Sequence, residues 1–172
     1  MFQINDVILY SAQGVCKIVA MEQKRIDGAN KMFFVLKPIN DDSATVFVPT
    51  DKEAALKKMR RILTESQIRA LLDAAAAERI SWITQDSIRK ERYRELLAGG
   101  DQLALICMIK RIYEHKKQCE EKGKRLHMID EHFLKDAEQM LFNEFQYVLK
   151  LETKEELRAC ILAGTEVHGI SR

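Results

Sequence analysis

The stretch Ala44-Thr45-Val46-Phe47-Val48-Pro49-Thr50 marks the point at which the sequence changes periodicity. Within it, Val46 and Val48 alternate with their neighbours, as in a β-strand with one buried face. Pro49 ends the run, because proline has no amide donor for a sheet. The residues before this stretch predict strands and those after it predict helices. We therefore expect an α+β protein in which a small β domain precedes an all-α domain.

Three bursts of β-branched and aromatic residues precede that strand, at 7–10, 15–21 and 32–36. Turn-forming residues separate them, such as Asp27-Gly28-Ala29-Asn30 and Asn40-Asp41-Asp42-Ser43. The run Met32-Phe33-Phe34-Val35-Leu36 is continuously apolar, which is typical of a strand covered on both faces or lying at the centre of a small sheet. Because the connections are short, neighbouring strands should be antiparallel. The sequence predicts a small, strongly curved antiparallel sheet over residues 1–62.

Downstream of Thr50 the pattern becomes helical. Thr64 and Gln67 have the spacing of a capping box and precede Ile68, Leu71 and a run of four alanines at 74–77. We interpret residues 63–80 as a hinge helix or linker between the two domains.

Residues 81–172 carry the signals of a helical bundle. One helix should stop at Gly99-Gly100, and Asp101 should cap the next. A longer helix beginning at or near Asp130 has apolar residues at three- and four-residue steps, and Thr153 should cap a last short helix. Each apolar stripe requires the others for burial, so these helices should pack into one bundle.

Composition limits the possible classes of protein. The chain has 172 residues, of which 47% are hydrophobic and only two are proline, so a folded protein is expected rather than a disordered one. No apolar stretch approaches the roughly 20 residues needed to cross a bilayer, and residues 1–6 lack the pattern of a signal peptide. The four cysteines are far apart and form no Cys-x-x-Cys pair. These features predict a cytoplasmic protein with no membrane partner.

Charge is unevenly distributed along the chain. Residues 79–125 carry 12 basic and 7 acidic side chains, whereas residues 126–172 carry 5 and 9. A local cationic stretch favours nucleic acid as a partner, because attraction to phosphates depends on clustered charge. A solvated helix face would look similar, so both interpretations stay open.

No constellation typical of an enzyme is present. The chain has no glycine-rich phosphate loop, no Gly-x-Ser-x-Gly elbow and no His-Glu-x-x-His motif. His127 and His132 are five residues apart, whereas two metal ligands on one helix usually stand four apart. A metal-dependent enzyme using these histidines and Asp130 is the weakest alternative. We expect no catalytic residue, metal, cofactor or small-molecule substrate.

Two sets of motifs run through the chain in order. The first comprises Phe2-x-x-x-Asp-Val-Ile-Leu-Tyr, the Gly14 turn, Val35-Leu36-Lys37 and Val46-Phe47-Val48-Pro49. The second comprises Trp82, Arg89 to Arg94, Leu97-x-Gly-Gly-Asp, Gly123-Lys-x-Leu and the helix ending in Phe145 and Leu149. Together they resemble the CarD/CdnL family of bacterial transcription regulators. The first domain of that family also resembles the polymerase-interacting domain of the transcription-repair coupling factor.

For the first domain, the resemblance implies a Tudor-like barrel that docks on the β subunit of RNA polymerase. A small sheet leaves an edge that a partner strand can extend. The resemblance makes Lys24, Arg25 and Phe47 the candidate contacts. Phe47 alternates out of phase with Val46 and Val48 and could instead cover the opposite face of the sheet.

For the second domain, the resemblance implies contact with promoter DNA just upstream of the melted region, largely independent of base sequence. Trp82 would act as a wedge, and the implied phosphate contacts are Arg89, Lys90, Arg92, Arg94, Lys124 and Arg125. Alternatively, Trp82 is a core residue. The protein would then shift the stability of the open promoter complex without catalysing a reaction.

The sequence departs from the family in two places. Six residues separate Trp82 from Arg89, whereas in relatives the arginines follow the tryptophan closely. The long helix begins Asp130-Glu131-His132 where relatives are often basic, which leaves Lys124 and Arg125 as the nearby cations. A polymerase-binding adaptor with no productive DNA contact is therefore the alternative function.

Overall fold

The computed structural model describes residues 2–10 and 13–163. The chain divides into two compact units, Met1–Leu63 and Thr64–Arg172. No helix in the described ranges is both long enough and apolar enough to cross a bilayer.

The first unit is an antiparallel sheet with one short helix. In chain order its elements are β1 (Val7–Tyr10), β2 (Gly14–Ile26), β3 (Ala29–Pro38), β4 (Val46–Pro49), α1 (Glu53–Leu56) and β5 (Met59–Arg61). The strands lie side by side in the order β4-β3-β2-β1-β5, and every neighbouring pair is antiparallel. The predicted antiparallel sheet is thus confirmed, together with the α+β class.

Closure into a Tudor-like barrel is not seen. Among the described residues, β4 and β5 are the two ends of the sheet and no ladder joins them. The sequence also did not predict α1 and β5, because each is only three or four residues long and carries charged side chains. Such short elements depend on neighbours, and α1 lies against β4 while β5 pairs with β1.

One face of the sheet carries the core of this unit. Its buried members come from all five strands and are Ile8, Cys16, Ile18, Phe34, Leu36, Val48 and Met59. Phe33 and Val35, which alternate with Phe34 and Leu36, are also buried, at 8% and 5% exposure. The prediction that this strand is covered on both faces is confirmed.

The turn between β2 and β3 follows from its sequence. Asp27 and Gly28 have φ angles of 52° and 81°, the left-handed values that a two-residue type I′ hairpin requires. Aspartate and glycine tolerate these values better than other residues. The Asp-Gly pair therefore fixes the register of the longest hairpin in the unit.

The second unit is a bundle of five helices. They are α2 (Glu65–Ala77), α3 (Asp86–Gly99), α4 (Gln102–Glu121), α5 (Met128–Leu149) and α6 (Lys154–Ala163). Helix α4 packs against each of the other four. It supplies a buried stripe that includes Leu105, Ile106, Ile109 and Ile112. The core of the bundle therefore forms around α4.

Helix α2 falls within residues 63–80, for which the sequence predicts a hinge helix or linker, and it packs within the second unit. Its buried residues are Ile68, Leu72 and Ala75, and it contacts α4, α5 and α6. Lys110 Nζ from α4 donates to the carbonyl oxygens of Ala75 and Ala76, at 3.1 and 3.2 Å. These bonds satisfy carbonyls at the helix end that have no intrahelical donor. Helix α2 is therefore a structural member of the second unit.

Candidate functional site

Lys24 and Phe47 meet on one face of the sheet. Lys24 pairs with Lys31 across β2 and β3, and Val35 pairs with Phe47 across β3 and β4. Because paired residues and alternate residues share a face, Lys24 and Phe47 lie on the face opposite Phe34 and the core cluster. Lys24 Nζ is 3.0 Å from the centroid of the Phe47 ring. Phe47 therefore lies on the face opposite the core cluster, beside Lys24.

This contact leaves Phe47 available to a partner, since its side chain is still 40% exposed. An exposed cation–π contact is worth about 0.5–1 kcal/mol, so a partner can compete for either group. Arg25 follows Lys24 directly and pairs with Asn30, so it lies on the other face. The structure thus brings together two of the three residues predicted to bind polymerase.

A strand edge lies beside these residues. The ladder between β1 and β2 covers only Gly14–Lys17, whereas the ladder between β2 and β3 continues to Ile26. Along residues 20–26, no strand within the described ranges pairs with the outer edge of β2. Unpaired backbone donors and acceptors at such an edge can accept a strand from another chain.

Trp82 lies in the segment between α2 and α3 and is partly buried. Its ring stacks on His115 of α4, with centroids 3.6 Å apart and planes inclined by 11°. The guanidinium carbons of Arg89 and Arg111 lie 4.6 and 5.8 Å from the ring centroid. The indole is therefore held by three side chains, yet it is not fully enclosed.

Arg89 is not a surface cation, which corrects its prediction as a phosphate contact. It is 5% exposed, and its Nε and Nη2 donate to the two carboxylate oxygens of Asp130 at 2.7 and 3.0 Å. Its Nη2 also lies 2.9 Å from Asp86, and its Nη1 donates to the Ile83 carbonyl. Burial opposes the charged form, but the bonds to Asp130 and Asp86 outweigh it and raise the pKa of Arg89. All three guanidinium nitrogens are engaged within the protein.

Arg92 and Arg94 remain exposed on α3 but point to different sides. Two residues apart on a helix are separated by about 200°, so the two side chains do not share one surface. Arg92 pairs with Glu95 at 3.1 Å and Arg94 with Glu91 at 3.3 Å. Pairs this exposed are worth at most about 1 kcal/mol and can be exchanged for phosphate.

Lys90 and Arg94 line a shallow groove between α3 and the start of α5. The other lining residues are Met128, Ile129, His132 and Phe133. Lys124 and Arg125 lie exposed in the short segment that leads into α5. Of the predicted phosphate contacts, Arg94, Lys124 and Arg125 are therefore exposed on α3 or just before α5, and Lys90 is partly exposed in the groove.

His115 contributes to the Trp82 site, although sequence analysis did not single it out. Burial lowers the pKa of His115, and Arg111, Arg89 and Lys122 lower it further, while Asp130 acts in the opposite direction. His115 stands four residues after Arg111, so both lie on one face of α4. The spacing of Arg111 and His115 is visible in the sequence, but no local pattern predicts that Trp82 stacks on His115.

The weakly predicted metal-site residues have structural roles. His127 caps α5 through Nδ1, which accepts from the Ile129 amide, and His132 lies 3.5 Å from Asp136. Asp130 is engaged by Arg89. Within residues 2–10 and 13–163, no group of three or more His, Cys, Asp or Glu side chains could hold a metal ion.

Comparison with known proteins finds a family match within the first unit. Residues 2–63 match the family described as the CarD-like/TRCF RID domain. The matched residues are those of the sheet and its short helix, and the helical bundle lies outside the match. None of the curated proteins with which the chain was compared matches it.

Proposed function

Because residues 2–63 match the CarD-like/TRCF RID domain family, we propose that the protein is a transcription regulator that binds RNA polymerase through this unit. The family match is the single observation that carries the proposal. The partner is the polymerase β subunit. The helical unit contacts promoter DNA upstream of the melted region and shifts the stability of the open complex. No catalytic step is part of this role.

The Lys24–Phe47 face and the outer edge of β2 support the polymerase contact. A partner strand added along residues 20–26 would gain main-chain hydrogen bonds, while Lys24 and Phe47 would supply side-chain selectivity. Arg25 can contribute from the other face of the same strand. Backbone pairing alone would bind many strands, so selectivity depends on these side chains.

Capture of the β subunit by the full chain tests this step. The double variant K24A/F47A should bind at least tenfold more weakly than wild type. Lys58→Ala is the matched control, since Lys58 is an exposed lysine of the same unit that lies outside the sheet, between α1 and β5. If the double variant and the control bound alike, the assigned face would be wrong. If wild type captured no β subunit, the proposal itself would fail.

The groove side of the bundle supports the DNA contact. Lys90, Arg94, Lys124 and Arg125 are cations that phosphates can reach, whereas Arg89 is excluded by its buried ion pairs. Removing one cation that binds a phosphate should flatten the slope of log affinity against log salt by about one unit. Substituting these four residues by alanine should therefore flatten the slope by up to about four units.

The alternative is a polymerase-binding adaptor with no productive DNA contact. Two observations favour it: Arg89 is neutralised inside the protein, and Arg92 and Arg94 each have a glutamate partner. An unchanged salt slope in the four-residue variant would select the adaptor. Binding of the β subunit is common to both proposals, so the capture experiment does not distinguish them.

Trp82 is the proposed link between DNA contact and melting. If its indole prefers distorted DNA over closed duplex, its differential affinity shifts the equilibrium toward the open complex. Its partial burial is compatible with an edge that reaches DNA while His115 supports the ring. Trp82→Ala should shorten the lifetime of the open complex, with folding checked by circular dichroism. A wild-type lifetime in a folded W82A variant would remove the wedge role.

A further inference from the structure

A cleft of about 280 Å³ lies between residues 78–83, α3 and α4, wholly within the helical unit. Its deep part is formed by Tyr93, Cys107 and Met108, which are 6%, 5% and 3% exposed. Ile80, 44% exposed, lies at its rim, and Trp82 also lines it. The cleft therefore opens to solvent and has an apolar floor.

The arginines around the cleft have carboxylate partners, and Glu78, which also lines it, is exposed to solvent. Arg89 is bonded to Asp130, Arg92 to Glu95, and Arg111 to Glu114 through Nη1 at 3.0 Å. Arg111 Nε has no hydrogen-bond partner among the described residues, but it has no exposed surface and so does not face the cleft. Asp101 accepts from the Ala104 amide. A charged ligand would lose hydration over the apolar floor, where no buried counter-charge among the described lining residues lacks a carboxylate or arginine partner.

The size of the cleft and the residues that line it indicate which class of ligand it can bind. Apolar cavities of about 150 Å³ stay dry and admit benzene, and drug-sized ligands occupy about 300–1,000 Å³. A space of about 280 Å³ fits a molecule of two fused rings. Trp82 and Tyr93 offer aromatic surfaces, against which flat rings pack well. We propose that this cleft binds a neutral, planar aromatic molecule of about ten non-hydrogen atoms.

Such a ligand contacts Trp82, whose indole is the group that contacts DNA in the proposed function. Trp82 lines the cleft and is already held by His115, Arg89 and Arg111, so a bound ring adds one more contact that fixes its orientation. Any change that the ligand makes in DNA affinity must be matched by an equal change that DNA makes in ligand affinity. This regulatory step rests on the proposed function, whereas ligand binding itself does not.

Naphthalene is the probe for binding, titrated into the full chain. Trp82 is the only tryptophan, so the protein gives one indole N–H signal in a ¹H–¹⁵N NMR spectrum. That signal should shift saturably. Ala104→Leu, which fills the cleft from α4, should weaken binding at least tenfold, and Ala159→Leu on the exposed side of α6 should not. Leu96→Phe, which narrows the cleft from α3, gives a second measurement if the first variant does not fold.

Two results would overturn the ligand site: no saturable shift with wild type, or wild-type affinity in the folded cleft variants. The compound 2-naphthoate has the same rings and a carboxylate, and it should bind at least tenfold more weakly. Equal affinity for both compounds would overturn the neutral class of ligand. These measurements need neither polymerase nor DNA, so their failure leaves the proposed function untouched.

The regulatory step has its own test. Saturating naphthalene should change the open-complex lifetime at least threefold with wild type and leave it unchanged with Ala104→Leu. If naphthalene binds the free protein and the lifetime does not change, the coupling is overturned. If the protein has no effect on the lifetime with or without naphthalene, the proposed function fails while the ligand site stands.

Discussion

At the scale of single residues, the buried pair of Arg89 and Asp130 decides what the basic segment can do. Both side chains are almost fully buried, at 5% and 2% exposure. Removing one partner of such a pair leaves an uncompensated buried charge, which is far more costly than breaking an exposed pair. The pair therefore gives Arg89 a structural role and removes it from the cations that DNA can reach.

Asp130→Asn should lower the free energy of unfolding by about 3 kcal/mol, because Arg89 would keep only the more exposed Asp86 as a charged partner. Arg92→Ala is the matched control and should cost less than about 1 kcal/mol, since its pair with Glu95 is exposed. Urea denaturation of the full chain measures both. Equal effects in the two variants would contradict the structural role of Asp130.

His115 gives the Trp82 site a dependence on pH. Its pKa in the folded protein lies below the ordinary 6.5, mainly because of burial. As pH falls below about 6.5, the unfolded chain takes up a proton at this position more readily than the folded protein. The contribution of neutral His115 to the free energy of unfolding is therefore present above that pH. It is lost as pH falls through the pKa of His115 in the folded protein.

His115→Phe keeps a flat ring beside Trp82 but cannot titrate. Its free energy of unfolding should therefore fall less than that of wild type between about pH 7 and pH 5. Urea denaturation followed by far-ultraviolet circular dichroism at both pH values measures the difference. The same fall in both proteins would show that His115 does not cause the dependence.

At the scale of elements, the helix boundaries follow from local signals. Thr64 and Gln67 form a complete capping box at the start of α2, and Asp101 accepts from the Ala104 amide at the start of α4. Gly100 ends α3 in a left-handed conformation with φ of 64°. Each signal lies within four residues of the group that it satisfies, so sequence analysis could find it.

Alanine substitutions at Gly99 and Gly100 test the boundary at the end of α3, because the two neighbouring glycines have different backbone conformations. A Cβ at either position has room, since nothing lies within 4 Å at Gly99 and Met140 Cε is 3.9 Å away at Gly100. Gly100→Ala should lower the free energy of unfolding by about 1–2 kcal/mol because of its left-handed conformation. Gly99→Ala, inside α3, should raise it by up to about 1 kcal/mol. Thermal or urea unfolding measures both variants. If the two substitutions changed the free energy of unfolding in the same direction, the assigned end of α3 would be wrong.

At the scale of the whole molecule, the proposal depends on two units being carried by one chain. In this proposal, polymerase binding by residues 1–63 would raise the effective concentration of the helical unit at the promoter, so that a weak DNA contact would suffice. Tethering can raise apparent affinity by about 10²–10⁴ without a new contact. The cations proposed to contact DNA would therefore not need to bind it strongly by themselves.

This tether predicts how the K24A/F47A variant behaves in transcription. At a concentration that saturates wild type, the variant should have no effect on the open-complex lifetime, although its DNA-facing cations are intact. Raising its concentration by about 10²-fold should partly restore the effect, because free encounter then replaces tethering. A full effect at the lower concentration would show that the helical unit acts without the tether.

The sequence by itself determined the order and class of the main elements, the long hairpin turn and most helix ends. These depend on hydrogen bonds and side-chain periodicity within a few residues, which the chain shows directly. It also indicated the family of the first unit through motifs within residues 2–63. It did not indicate α1 or β5, which are too short to carry a periodic signal.

Only the tertiary structure decided the chemistry of the candidate surfaces. It placed Asp130 against Arg89, His115 against Trp82, and Lys24 over Phe47. It also packed α2 into the bundle and left β4 and β5 unjoined among the described residues. The partners in the three side-chain contacts are 23 to 41 positions apart in the chain. They meet only when whole elements pack, so no local preference of the chain encodes the pairing.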